Sequence, residues 1–126
     1  MLSRRDALAE RERTERSERI AERAVELLVD RLAPGVVVAL YAAKGSEVVT
    51  TTIDVALRGR GFVPAYPRVI GDGMELAFHP VAIDELVPAR FGLREPRVDA
   101  PSIALAQIAA FVMPGLAFDR AGGRVG

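Results

Sequence analysis

The chain contains no cysteine, which removes disulfides, thiolate zinc sites and thiol nucleophiles in one step. Its single histidine, His79, cannot build a zinc site unaided and reads as a structural residue at a strand end. Neither charge is in excess: Lys+Arg and Asp+Glu both number 17. There is therefore no overall field to draw in nucleic acid or an anionic membrane, and any anion must be bound by local groups. No apolar run reaches the length of a membrane span and no basic-then-apolar leader opens the chain, which together point to a soluble cytoplasmic protein. Internal repeats and low-complexity linkers are missing as well. What remains is 126 residues with a hydrophobic content of 50%, enough for one domain with one core.

Residues 1–31 read as a charge-dense helix carrying eight arginines and eight acids. Its apolar stripe comes late, at Ile20, Ala24, Leu27 and Leu28, so the second half is expected to dock and the first to project. Glu12 with Arg16 and Glu15 with Arg19 have the spacing of supporting pairs on the exposed side. After Pro34-Gly35, residues 36–41 (VVVALY) form a β-branched run of the kind found in strands buried on both faces. A helix over residues 50–58 follows, with Ile53, Ala56 and Leu57 inward, and Gly59-Arg60-Gly61 ends it. Residues 62–66 read as the next strand. This strand-helix-strand order is a βαβ unit, whose ligands gather at the carboxyl ends of the strands, here after Tyr41 and around Tyr66. Residues 74–78 form a third strand, antiparallel because the link 69–73 is too short for a crossover. Residues 108–113 read as a further buried strand. The expected fold class is α/β, a three-layer domain with a mainly parallel central sheet.

Single motifs say little. Asp119 before Gly122-Gly123 suits a nucleotide or metal site, yet Asp, Gly and Arg after a strand also describe an ordinary exposed turn. The lysine and serine or threonine of a P-loop are absent.

The colinear order of short motifs says more. Ser17-x-x-Ile20, Tyr41, GSEVVTT at 45–51, VPAYP at 63–67, MELAF at 74–78, FGLREP at 91–96 and VMPGLAFDRAGGRVG at 112–126 occur in one series. That series resembles the 5-formyltetrahydrofolate cyclo-ligase family, also called 5,10-methenyltetrahydrofolate synthetases, over nearly the whole chain. The Glu-Pro after a glycine-containing turn and the Pro-Gly-x-x-Phe-Asp-x-x-Gly-x-Arg-x-Gly stretch are its most specific marks. The resemblance implies a Rossmann-like, NagB-RpiA-like domain, here residues 1–126 as a single unit. It also implies ATP-dependent cyclisation of 5-formyltetrahydrofolate, with Mg2+ and ATP as co-substrate. In that reaction the formyl oxygen attacks the γ-phosphate, N10 closes on the activated carbon, and phosphate leaves. Such chemistry needs alignment and cations, and no catalytic nucleophile is assigned.

In the family the last turn continues into a glycine-rich loop ending in a Tyr-Tyr-Asp-Arg type sequence, and a lysine or further arginine usually precedes the match to Arg4 to Leu8. The chain is therefore expected to be a fragment or an abbreviated member, truncated before the phosphate loop is complete. Residue by residue, Glu47 matches a glutamate that faces the pterin; a helix N-terminal acid favoured by the dipole is the alternative. Tyr66 and Met74 match residues lining the folate pocket, and Phe91 stands where an aromatic packs near the ligand; plain core packing is the alternative for all three. Arg5, with Arg4 as a register alternative, matches a phosphate-contacting arginine, and Arg124 and Gly126 open the phosphate loop. Ala65 and Ala109 depart from the family pattern, which often has an arginine and an acid there.

Two other readings stay open: a non-catalytic folate-binding or partner-binding remnant, and a sugar-phosphate isomerase-like enzyme on the same architecture, which would need no ATP. Residues 1–126 alone are expected to bind MgATP poorly, to turn over negligibly, and to self-associate through an uncovered sheet edge, whereas a full-length member would be a monomer.

Overall fold

A computed structural model describes residues 9–42, 50–71, 75–89 and 92–113, together with the backbone of 117–118 and 124–125. Helix α1 spans Glu10–Arg31. It contains no glycine or proline and is rich in arginine and glutamate, both good helix formers. Glu10 and Glu12 in its first turn and Arg31 in its last complement the helix dipole. The docking stripe is Ala21, Val25, Leu28 and Leu32, spaced four, three and four residues apart. Ile20 and Leu27, expected inward, are 47% and 53% exposed. The true stripe is turned by about one residue, because alanine and valine fit the close approach to the neighbouring helix. Arg16 pairs with Glu12 at 2.8 Å as expected, while Glu15 is taken by Arg11 at 3.3 Å instead of by Arg19.

The main sheet has the order β3-β2-β1-β6, from β1 (Val37–Ala39), β2 (Val63–Ile70), β3 (Glu75–His79) and β6 (Ile108–Phe111). Strand β1 runs parallel to β2 and β6, and β3 is antiparallel to β2, as the short link predicts. Helix α2, Thr51–Gly59, connects β1 to β2. It ends in a Schellman motif: Phe62 N–H donates to Leu57 O and Gly61 N–H to Arg58 O, with Gly61 at φ +86°. Two small hairpins complete the order. One pairs β4 (Val87–Pro88) with β5 (Arg94–Glu95), the other β7 (Ala117–Phe118) with β8 (Arg124–Val125).

The two faces of the sheet are covered unequally. Val38 of β1, Leu40 just after it and Tyr66 of β2 pack with Ala21 and Val25 of α1 and Ile53 and Leu57 of α2 in the larger core. Each fully buried aliphatic side chain there contributes about 1.5–3 kcal/mol. Ala39, Ala65 and Phe78 form a smaller cluster on the alternate side, joined by Ile103 and Ile108. Residues 108–113 do not form the buried strand expected from their hydrophobic run. Among the described residues β6 is the sheet edge, with Phe111 47% and Met113 58% exposed, although the Phe111 ring packs edge-on against Phe78 at 5.6 Å between centroids. No described helix is long and apolar enough to cross a membrane.

Candidate ligand cleft where the first strand ends

The pairing of β1 with β2 stops at Ala39 opposite Ala65, with one further bond from Leu40 N–H to Ala65 O at 2.8 Å. Strand β2 continues to Ile70, held on its other side by β3. Backbone polar groups alternate across a strand, so those of Val63, Ala65, Pro67 and Val69 all face the β1 side. Beyond Leu40 that side has lost its partner. Two residues deal with the consequence. Pro67 has no N–H to leave unsatisfied, the usual reason proline is tolerated on a strand edge. The next outward donor, Val69 N–H, is taken by the Glu95 carboxylate at 2.8 Å, as buried backbone donors require. Glu95 thus stands in for the missing β1 residue. It is delivered by the β4–β5 hairpin, which Ala89 N–H to Leu93 O at 2.8 Å closes and Arg94, donating to Leu86 O at 2.7 Å, braces.

The departure of β1 opens a cleft of about 210 Å³ between Tyr41 and Ala42 on one wall, Pro67, Val69 and Leu76 on the second, and Leu93, Arg94 and Glu95 on the third. It lies at the carboxyl end of β1, where βαβ units take their ligands. The walls are mostly apolar with a few polar groups, the usual make-up of a small-molecule site, and the volume suits one ring system better than an extended ligand. Thr50, 1% exposed, donates to the carbonyl oxygen of the cleft-lining Tyr41 at 2.6 Å. That bond ties together the two ends of the segment 43–49, which leaves from Ala42 on the cleft wall.

A second polar cluster lies on the helix side. Asp54 is 2% exposed and accepts from Arg58 Nε at 2.7 Å and from Tyr66 OH at 2.5 Å, while Arg58 also donates to Val81 O at 2.7 Å. Burial first, and then the bond to the Asp54 carboxylate, push the Tyr66 phenol well above its ordinary pKa. It stays a hydrogen-bond donor throughout the physiological range. The cluster joins α2, β2 and the segment after β3, and none of its four residues lines the cleft.

Tyr66, expected to line a folate pocket, is fully buried in the larger core, a setting that the core-packing alternative also describes. Strand alternation is the reason: Tyr66 shares a face with the helices, and Pro67 and Val69 line the cleft. Glu47, Met74, Phe91, Arg4, Arg5 and Gly126 lie outside the described residues. Arg124 belongs to β8, where its backbone pairs with Phe118. His79 is a satisfied structural histidine, 1% exposed: Nδ1 donates to Ala100 O and Pro101 O at 3.0 and 3.1 Å, leaving Nε2 to accept from Arg68 Nε at 3.2 Å. No group of acids and histidines suited to a metal occurs among the described residues. Asp54 and Val69 stand in no motif of the sequence, and Thr50, Pro67 and Glu95 stand within motifs that assign them no task. For Asp54 and Arg58 the i,i+4 spacing was an available signal.

The whole chain, residues 1–126, matches the sequence profile of the 5-formyltetrahydrofolate cyclo-ligase family. No curated protein sequence matches it. The fold is similar to that of a 5,10-methenyltetrahydrofolate synthetase from Mycoplasma pneumoniae, at 22% sequence identity and a TM-score of 0.73, with 99% of this chain and 65% of that one covered. It is also similar to the 5,10-methenyltetrahydrofolate synthetase of Aquifex aeolicus, at 28% identity and a TM-score of 0.73, with 99% and 62% covered. The chain spans somewhat less than two thirds of either structure.

Proposed function

The chain belongs to the 5-formyltetrahydrofolate cyclo-ligase family, and from that premise we propose that the protein carries out ATP-dependent closure of 5-formyltetrahydrofolate to 5,10-methenyltetrahydrofolate, releasing ADP and phosphate. ATP supplies the phosphoryl group that turns the formyl oxygen into a leaving group; N10 then bonds to the formyl carbon, loses its proton, and phosphate departs with that oxygen. No protein nucleophile is needed, which suits a chain without cysteine.

The observation that carries this reading is the family match along the entire chain, joined to a ring-sized cleft at the carboxyl end of β1. Pro67, Val69 and Leu76 supply a flat apolar wall for a pteridine ring, and the Thr50–Tyr41 bond fixes the base of the segment that carries Glu47. We assign Glu47 to the ring's N–H donors, with Met74 and Phe91 as further packing surfaces. Arg4, Arg5, Arg124 and Gly126 are assigned to the phosphates of MgATP. Phe118 pairs with Arg124, and the sequence between them contains Gly122 and Gly123, residues that let backbone N–H groups approach an anion.

Isothermal titration of 5-formyltetrahydrofolate into the wild-type chain and Glu47→Gln tests the folate side. Glu47→Gln is expected to bind more weakly by roughly 1–3 kcal/mol, the cost of a charge-assisted bond. Equal affinities would remove Glu47 from the pocket. Folate binding without any MgATP-dependent rise in methenyltetrahydrofolate absorbance, in the chain joined to a family-type C-terminal part, would favour a non-catalytic binding protein. Binding of a sugar phosphate in place of folate would favour the isomerase-like reading.

A further inference from the structure

Three features of the cleft concern the same edge. First, β2 outruns β1, so the carbonyl oxygens of Pro67 and Val69 face a side where the ladder has ended at Leu40. Second, the donors that would accompany them are gone: Pro67 has none, and Val69 N–H is consumed by Glu95 Oε2. Third, Glu95 binds Val69 through one oxygen only, and its Oε1 makes no hydrogen bond among the described residues while the residue lines the cleft. An ordinary strand edge offers donors and acceptors in alternation. Among the described residues, this stretch of edge at Pro67 and Val69 offers acceptors alone.

We propose that Glu95 Oε1 and the carbonyls of Pro67 and Val69 form an acceptor-only edge that selects a heteroaromatic ring presenting adjacent N–H donors and rejects one presenting a carbonyl in their place. The inference rests on the folate reading and deepens it, since a pterin carries an exocyclic 2-amino group where a lumazine carries a 2-oxo group. Glu95 is then a specificity-determining residue with two tasks, one oxygen for the fold and one for the ligand. A carbonyl of the wrong ring would meet a carboxylate and two more carbonyls, leaving buried acceptors without donors. Sites built to bond a ligand N–H discriminate strongly against the analogue that lacks it for this reason. The assignment of Glu47 under the folate reading concerns other ring N–H donors: a tetrahydropterin carries N–H groups beyond the adjacent pair proposed for Glu95.

The two tasks can be separated by substitution. Glu95→Gln keeps an amide oxygen for Val69 N–H and replaces the ligand-facing oxygen with an –NH2 donor. Glu95→Ala removes both. The experiment titrates 6-methylpterin, 6-methyllumazine and 5-formyltetrahydrofolate into the full chain and each variant, with thermal melts alongside. The wild-type chain is expected to prefer 6-methylpterin over 6-methyllumazine by at least about tenfold. Glu95→Gln is expected to melt like the wild type yet lose that preference and bind 5-formyltetrahydrofolate at least about tenfold more weakly. Glu95→Ala should lose the preference and also melt earlier. A preference unchanged in Glu95→Gln, or lost only in proportion to a lowered melting temperature, overturns the proposal while leaving the folate reading intact. Failure of the wild-type chain to bind 5-formyltetrahydrofolate at all would overturn both.

Discussion

The two sides of the β2 strand handle polar atoms in opposite ways. On the helix side, Tyr66, Asp54 and Arg58 satisfy one another inside the larger core, and no buried side-chain polar atom of the described residues is left without a partner. On the cleft side the strand is deprived of donors by a proline and a carboxylate and keeps its acceptors open. The contrast separates stability from recognition within one strand. A closed polar network rigidifies a core because every lone pair and proton is used, whereas a half-used edge is useful only to something that comes and completes it.

The largest effect should come from opening the closed network. Asp54→Ala leaves the Tyr66 hydroxyl buried without its acceptor and Arg58 without its partner. Because Arg58 is 38% exposed, the loss should fall at about 2–4 kcal/mol, below the full cost of breaking a buried ion pair. A urea midpoint lowered at unchanged slope would record it. Tyr66→Phe should cost less, about 1–3 kcal/mol, since Arg58 still holds the carboxylate. It should also change the alkaline behaviour. The folded-state pKa of Tyr66 is raised, so its stabilising contribution is complete below the unfolded value of about 10 and is lost as pH rises beyond it. Stability measured from pH 9 to 11 should fall less steeply in Tyr66→Phe; parallel curves would show that the phenol's proton is not linked to folding. Thr50→Val should cost about 0.5–1.5 kcal/mol for one hydrogen bond but should weaken 5-formyltetrahydrofolate binding as well, because the bond holds Tyr41, which lines the cleft. A loss of stability without any loss of affinity would detach that tie from the site. Arg16→Ala, which removes an exposed helical pair, should change stability by no more than about 0.5 kcal/mol and affinity not at all.

Much of the architecture could be read from the chain. The β-branched run at 36–41, the helix closed by Gly59-Arg60-Gly61, and the short link before residue 75 lead to the observed parallel pair and antiparallel third strand. They also point to the end of β1 as the side where a ligand is expected, and a cleft lies there. The errors share a cause. Hydrophobic pattern records that a residue is apolar, not which neighbour covers it. Ile20 and Leu27 therefore looked inward, and 108–113 looked buried. Tyr66 and Pro67 stand side by side in a strand apolar on both faces, so no alternation of polar and apolar residues shows which of them faces the helices and which the cleft. Asp54 escaped notice because an acid on a helix is ordinarily solvated, and only the Tyr66 hydroxyl opposite makes its burial tolerable. The Glu-Pro mark at Glu95 and Pro96 was recognisable as a family signature, but its physical task depends on where β1 stops, which is a tertiary fact. Glu47, Met74, Phe91 and the phosphate-assigned Arg4, Arg5 and Gly126 lie outside the described residues and remain proposals.

The central claim is that the ligand enters the cleft side of β2 and leaves the helix side untouched. An amide-resolved NMR titration with 5-formyltetrahydrofolate tests it most directly. The amides of Ala42, Val69, Leu76 and Glu95 should shift in a saturable manner, while those of Ala21, Ile53 and Leu57 stay in place. Saturable shifts concentrated at Ala21, Ile53 and Leu57, or saturation with Ala42, Val69, Leu76 and Glu95 unmoved, would contradict it.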